Sequence, residues 1–425
     1  MKLEELYELF LESSGVSTDT RKIKQDSIFF ALKGDNFNAN EFAAEALEKG
    51  AQWAVIEEAP ETPLERSIQV ENTLETLQAL SSYHREQLGI PIIGLTGSNG
   101  KTTSKELINA ALSKKYKTTA TFGNLNNHIG VPLTLLSMTG ETEIGIVEMG
   151  ANHQKEIDFL CNIAKPDFGY ITNFGKAHLE GFGSVEGVIK GKSELYDYLK
   201  KHEKTLFLNI DDPVQKDQLA YPRNFTFGEE LNADITVNYF QEGSFAGLQV
   251  GDLKILSRMT GSYNAKNMAA AYTIASYFDV KKEDIKEALE SYIPGNNRSQ
   301  IIIKDSIQII LDAYNANPTS MAAAIENLEE IDRKPKAVIL GDMFEMGAQA
   351  KEEHQHLVDK LKRSNLDRIY LVGENFYRTT SGENILKYKT FEDFTAAFNP
   401  SEFENSVLLI KGSRGMALER ILEFL

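Results

Sequence analysis

Cysteine occurs once in the 425 residues, at Cys161, which excludes an intramolecular disulfide and any metal site built on several thiolates. A single thiol fits a reducing compartment, and Cys161 itself reads as a small buried residue in a helix. Basic residues are also in short supply: 45 Lys plus Arg stand against 62 Asp plus Glu, a formal charge of −17. A surface of that sign does not neutralise a nucleic-acid backbone, so DNA and RNA are excluded as main partners. A small phosphate ligand needs only a local set of donors and stays open. No run approaches the ~20 apolar residues of a membrane span. The acidic, amphipathic start Met1–Gly15 lacks the basic head and apolar middle of a secretion signal, so the expected address is the cytoplasm. Low-complexity segments and fixed-period repeats are absent as well.

What is present is a long alternation of apolar runs and helical patterns. At roughly 100–200 residues per domain the length allows two to four domains, and two breaker clusters divide it. Residues 1–88 read as a small α/β unit, with strands at 27–33 and 52–56 and helices at 40–49 and 73–88, closed by Gly89 and Pro91. Residues 89–295 alternate strand and helix, which predicts a parallel sheet with helices on both faces. Strands are expected at 91–96, 118–121, 144–149, 168–172 and 205–210, and helices at 102–113, 153–163 and 185–199. The stretch 233–259 reads as antiparallel strands, followed by helices at 264–278 and 282–292. After the breaker Pro294-Gly-Asn-Asn297, residues 296–425 alternate again and end in a helix. The fold class is α/β in three domains.

The most informative segment is Ile92-Ile-Gly-Leu-Thr-Gly-Ser-Asn-Gly-Lys-Thr-Thr103. An apolar strand runs into a glycine turn, and a helix opens on Lys101, Thr102 and Thr103. This arrangement turns successive backbone N–H groups of Gly97, Ser98, Asn99 and Gly100, and a helix N-terminus, toward an anion. Lys101 can reach the outer phosphates of a nucleotide, and the Thr102 hydroxyl can ligate Mg²⁺. The loop is shorter than the usual G-x-x-x-x-G-K-[ST], because Leu95 stands where the first glycine would be. A nucleoside triphosphate site follows; what becomes of the γ-phosphate does not.

Downstream, Ile144-Gly-Ile-Val-Glu-Met-Gly150 carries Glu148 at the carboxyl end of a buried strand, where ligands of open parallel sheets gather and where Mg²⁺ would sit. His178 follows the next core strand in the same layout, and serves equally well as a ligand or as a structural histidine. Lys190 and Lys192 lie on the helix after it, and composition singles out neither. Asn124-Leu-Asn-Asn-His-Ile-Gly-Val-Pro132 is a polar loop whose Asn126 and Asn127 suit an anion or, more simply, the capping of the helix that follows.

Taken in order, Thr96–Thr103, Gly123–Thr134, Glu148–Ala151 and Ile171–Ser184 resemble the signature of the Mur ligase family, ATP-dependent amide-bond ligases of peptidoglycan precursor synthesis, and the resemblance spans essentially the whole chain. Asp312-Ala-Tyr-Asn-Ala-Asn-Pro-Thr-Ser-Met321, Gly341-Asp-Met-Phe-Glu-Met-Gly347 and Lys411-Gly-Ser-Arg414 are similar to the branch that joins D-alanyl-D-alanine to UDP-N-acetylmuramoyl-tripeptide. The resemblance implies a Rossmann-like last domain that closes over ATP, a monomer, and two Mg²⁺ ions. It implies that Lys101 and Thr102 hold the phosphates and first metal with Glu148, and that His178 and a carbamylated Lys192 serve the second. Asn264 and Asn267 match the segment near the adenine, with Tyr263 in place of the usual His, and Arg298 matches the arginine facing the phosphates. Tyr314, Asn315 and Asn317 would close on the nucleotide, while Thr18, Asp19, Thr20, Arg21 and Lys33 match the UDP-binding segments. Asn126 and Asn127 would face the peptide substrate. Two other readings stay open: a folylpolyglutamate synthetase, which shares the P-loop, and a non-ligating nucleotide switch. The Asn-Lys-x-Asp base-reading motif of a GTPase is absent.

Overall fold

A computed structural model of the chain describes residues 1–60, 62–295 and 297–425. Asn296, where the sequence sets the start of the last domain, lies outside the described residues. The centre is a seven-stranded sheet, entirely parallel, in the order Ile235–Thr236, Asn224–Gly228, Thr205–Asn209, Phe168–Ile171, Ile92–Thr96, Ile144–Glu148, Thr118–Ala120. Its strands are continuous apolar runs because both faces are covered and successive side chains enter opposite cores. Ile92, Val147, Ile171 and Leu206 pack into one cluster, and their neighbours Ile93, Ile146, Tyr170 and Phe207 into the other. The first cluster runs on without a break into Met321, Ile325 and Val338 of the last domain.

The strand Ile92–Thr96 has Phe168–Ile171 on one side and Ile144–Glu148 on the other, so the connections leave it in opposite directions. The crevice opened by that reversal lies beyond the carboxyl ends of the strands, where ligands of doubly wound sheets bind. The helix Lys101–Leu112 descends from it, burying Leu107, Ile108, Ala111 and Leu112. Its partner is Ser262–Tyr277, whose run Ala269–Ala271 lets the two helices approach closely.

Before this sheet lies a four-stranded parallel one, Val16–Ser17, Ile28–Phe30, Trp53–Ile56 and Ser67–Gln69. The helix Thr73–Leu88 joins the two; Asn72 caps it by accepting from Glu75 N at 3.0 Å, and Gly89 ends it at φ 61°. From that helix the buried Arg85 donates to Ala164 O, Lys165 O and Asp167 Oδ2 at 3.1, 3.0 and 2.6 Å, tying the N-terminal unit to the central one. After the central unit a six-stranded sheet follows the order Gln300–Lys304, Ile307–Asp312, Val407–Lys411, Lys336–Gly341, Arg368–Val372, Ile385–Tyr388, with only the first strand antiparallel.

Several elements differ from the sequence reading. The helix expected from His153 begins at Glu156, because the Glu156 carboxylate takes Asn152 N and His153 N at 2.7 and 3.2 Å and Lys155 is left-handed at φ 72°. The C-terminal helix is a pair of 3₁₀ turns, Arg414–Met416 and Leu418–Glu423, not an α-helix. Of the irregular stretch, Ile235–Thr236 joins the central sheet in parallel, and only Asn238–Glu242, Phe245–Val250 and Leu253–Thr260 are antiparallel. Among the described residues no helix is long and apolar enough to cross a membrane.

Candidate active site

The crevice is the mouth of a cavity of about 1510 Å³, lined from all three sheet units. At its floor the loop Gly97–Gly100 turns tightly under two constraints. Gly97 has φ 142°, and a Cβ there would stand 1.9 Å from Thr172 Oγ1; Gly100 has φ 77°, and its Cβ would meet Asn267 Oδ1 at 2.7 Å. Only glycine satisfies both, which leaves the loop N–H groups and the helix N-terminus open to an anion. Lys101 Nζ folds back onto Gly97 O and Ser98 O at 2.8 and 3.3 Å. Burial lowers its pKa and Glu148 opposes that, so a phosphate arriving here offers the ammonium stronger acceptors than the two carbonyls it now holds.

Glu148 is 1% exposed. Its Oε1 accepts from Thr102 Oγ1 at 3.2 Å and from Asn126 Nδ2 at 2.8 Å, while Oε2 is buried with no partner. An orphaned carboxylate oxygen beside a P-loop hydroxyl costs free energy unless something else uses it. A hard cation suits both oxygens. Among the described residues no three His, Cys, Asp or Glu side chains cluster tightly enough to hold a metal alone. The donor set therefore fits Mg²⁺, which takes one or two carboxylates and completes its shell with phosphate oxygens and water.

Lys192 projects from the helix Val185–Lys201, whose start is capped by Ser184 accepting from Gly187 N at 3.1 Å. Its side chain is fully buried, donates to Ala151 O at 3.0 Å and lies 5.1 Å from the centre of the Phe182 ring. Burial, with Lys101 adding to it, holds this amine well below the ordinary lysine range. Lys192 does not itself line the cavity; Ala151, which it holds, does. His178 does line it, with Nδ1 2.5 Å from Glu345 Oε2 of the last domain.

Asn264 and Asn267 also reach the cavity, within a buried network that braces the loop. Asn264 Nδ2 donates to Thr260 O at 2.7 Å, Asn267 Nδ2 to Asn264 Oδ1 at 2.9 Å, and Ser104 Oγ to Asn267 Oδ1 at 3.1 Å. From the last domain, the Arg298 guanidinium stacks 3.5 Å from the centre of the Tyr314 ring. Asn317 Nδ2 donates to Asn99 Oδ1 at 2.7 Å, so this domain touches the phosphate loop directly. Asn127 lines the cavity while its Oδ1 caps the following helix through Ile129 N and Gly130 N at 3.1 and 2.9 Å.

Thr18, Asp19, Thr20, Arg21 and Lys33 are not brought into this cavity. Arg21 pairs with Asp19 at 2.8 Å and Lys33 with Glu58 at 2.6 Å on the outer surface of the first domain. Asp312, Lys411 and Glu345 lie in motifs that carried the resemblance but were given no site role there, and all three line the cavity. Asp312 ends a buried strand as Glu148 does, so the same strand-end rule would have found it. Lys411 Nζ, nearly buried, donates to Asp312 Oδ2 at 2.6 Å and to Asn315 O at 3.1 Å. Lys411→Met is expected to leave Asp312 without its counter-charge and cost about 3 kcal/mol of stability, read as a lower urea midpoint at unchanged m-value.

A phosphate loop at the switch point of a doubly wound sheet, a free carboxylate oxygen beside it and a second α/β domain packed over both define a nucleotide-dependent transferase or ligase. Residues 95–275 match the family model described as the Mur ligase middle domain, and residues 297–414 the Mur ligase glutamate ligase domain. The chain belongs to the Mur ligase family, ATP-dependent, ADP-forming amide ligases, as the resemblance implied. It is 34% identical over 424 residues to the UDP-N-acetylmuramoyl-tripeptide–D-alanyl-D-alanine ligase of Bacillus subtilis, covering 96% of this chain and 92% of the relative. The enzyme of that name from Escherichia coli is 32% identical over 426 residues, covering 96% of this chain and 93% of the relative. Among solved structures, MurF from Acinetobacter baumannii superimposes with a TM-score of 0.86 at 31% identity, covering 96% of this chain and 92% of that one. The MurF ligase of Thermotoga maritima, in complex with ADP, gives 0.83 at 28% identity, covering 100% and 98%.

Proposed function

We propose that the chain joins D-alanyl-D-alanine to UDP-N-acetylmuramoyl-tripeptide, releasing ADP and phosphate and supplying the pentapeptide precursor of peptidoglycan. The observation that carries this reading is the single cavity in which the phosphate loop, the half-used Glu148 carboxylate and Arg298, Tyr314 and Asn317 of the last domain meet. Residues 1–88 would hold the UDP-sugar end through Thr18–Arg21 and Lys33, residues 89–295 the ATP, and residues 296–425 the dipeptide. In this reading the chain works in the cytoplasm, where ATP is at hand.

The terminal carboxylate of the tripeptide takes the γ-phosphoryl group of ATP, forming an acyl phosphate and ADP. The dipeptide amine attacks the acyl carbon, the C–N bond forms, phosphate leaves and the amine proton goes to solvent or phosphate. Lys101 and the N–H groups of residues 97–100 stabilise charge on the transferring oxygens. Thr102 and Glu148 would hold one Mg²⁺ and His178 a second, and when bound these ions offset phosphate charge as Lewis acids. Lys192 fits the carbamate expectation in one respect: burial favours the neutral amine that reacts with CO₂, and the product would present two anionic oxygens. Arg298 and Tyr314 cover the site from the last domain, which keeps water from an acyl phosphate.

With purified protein, ATP, UDP-N-acetylmuramoyl-tripeptide and D-alanyl-D-alanine, ADP release is expected to require all three substrates. Release unchanged by leaving out the dipeptide would sink the ligase reading, and glutamate addition to folate without binding of UDP-sugar peptides would favour the folylpolyglutamate alternative.

A further inference from the structure

The junction between the central and last domains contains a contact that the steps above leave unused. Glu345 lies in the loop after the strand Lys336–Gly341, and its Oε2 stands 2.5 Å from His178 Nδ1. Nδ1 is buried and makes no aligned hydrogen bond, so the Glu345 carboxylate is the acceptor at hand. Both residues have left-handed backbones, φ 52° at His178 and φ 60° at Glu345. Such conformations cost about 1–3 kcal/mol each for non-glycine residues and persist where the surroundings impose them.

The surroundings here are specific. Met343 N donates to His354 Nε2 at 3.0 Å and Phe344 N to Ser413 Oγ at 2.8 Å, which pins the root of the Glu345 loop inside its own domain. The far side of the loop rests on the central domain, where Glu180 N faces Glu345 O at 3.4 Å and Gly347 packs against the Glu180 side chain. On the other flank of His178, Lys176 Nζ pairs with the nearly buried Glu353 at 2.7 Å and Lys176 N donates to Thr319 Oγ1 at 3.0 Å. The segment carrying His178 is thus gripped on both sides by the last domain, while His178 itself faces the cavity.

We propose that Glu345 is a positioning residue: docking of the last domain sets its carboxylate against His178 Nδ1, orients the ring so that Nε2 serves the second divalent cation of the cavity, and thereby couples cation binding to domain docking. The proposal rests on the ligase reading only for the presence of a divalent cation with the nucleotide. Carboxylates that orient a ligating histidine through its second nitrogen set cation affinity by about 10–100-fold. By linkage, a cation that binds the docked form more tightly also favours docking.

The test uses the full chain, ADP and Mn²⁺, following free Mn²⁺ by electron paramagnetic resonance. Glu345→Ala is expected to weaken Mn²⁺ binding about tenfold, with ADP affinity in the absence of metal and the thermal midpoint unchanged. Glu353→Ala, which loosens docking without touching His178, is expected to weaken Mn²⁺ binding as well, because docking and cation binding are linked. Mn²⁺ affinity within twofold of wild type in Glu345→Ala, or unchanged in Glu353→Ala, would overturn the proposal. A Glu345→Ala protein that loses thermal stability and metal-free ADP affinity together would also overturn it, by reducing Glu345 to a structural role. The dipeptide dependence of ADP release by the wild type is read separately, so a failure of the ligase reading is not mistaken for a failure of this one.

Discussion

Lys192→Met is expected to lower turnover by about 10²–10³-fold while leaving the thermal midpoint equal to or above that of the wild type. The two effects have one cause. Lys192 is fully buried, its single hydrogen bond goes to Ala151 O, and its amine is held well below the ordinary lysine range. Methionine fills nearly the same volume and has no polar head to desolvate, so the folded state loses nothing by the exchange. A protein that keeps an unfavourable buried group is expected to need it for function. The proposed need is the carbamate, which ¹³C-bicarbonate would reveal as a carbonyl resonance present in the wild type and missing in Lys192→Met. Turnover within threefold of wild type would remove Lys192 from the reaction and leave the ligase reading standing.

Lys101→Met is expected to reduce kcat by about 10²–10³, equivalent to about 2.7–4 kcal/mol of lost transition-state stabilisation, with KM for D-alanyl-D-alanine little changed. Without nucleotide, the ammonium is occupied by Gly97 O and Ser98 O, so the loop keeps its shape at the expense of its own charge. In the proposed reaction the phosphates would take over those hydrogen bonds, and the charge would matter most while the γ-phosphoryl group is in transit. Steady-state kinetics with each substrate varied in turn separates the two parameters. A rise in dipeptide KM at unchanged kcat would instead assign Lys101 to binding.

Local signals read well from the chain. The helix Thr73–Leu88 has its expected bounds because Asn72 and Gly89 supply both caps within the segment itself. The phosphate loop was legible for the same reason: two glycines, a lysine and a threonine within a few residues carry all the geometry it needs. Two strands of the last domain, Gln300–Lys304 and Ile385–Tyr388, did not read. Gln300–Lys304 carries a β-branched run, Ile301–Ile303, but it follows the breaker cluster at 294–297 directly and pairs on one side only, which leaves Ile303 exposed.

The sequence by itself determined the α/β class, the glycine–lysine loop and the exclusion of an intramolecular disulfide, since each depends on composition or on residues adjacent in the chain. The Mur ligase resemblance, carried by ordered motifs, implied the family, and the matches to its domains and relatives showed it. Tertiary structure alone decided that Lys192 rather than Lys190 is buried, that Glu148 keeps one oxygen free, that Lys411 answers Asp312 and that Glu345 meets His178. Those pairings join residues far apart in sequence. Their energetics depend on desolvation and on distances of a few ångströms, which exist only once the sheets have formed and the last domain has docked.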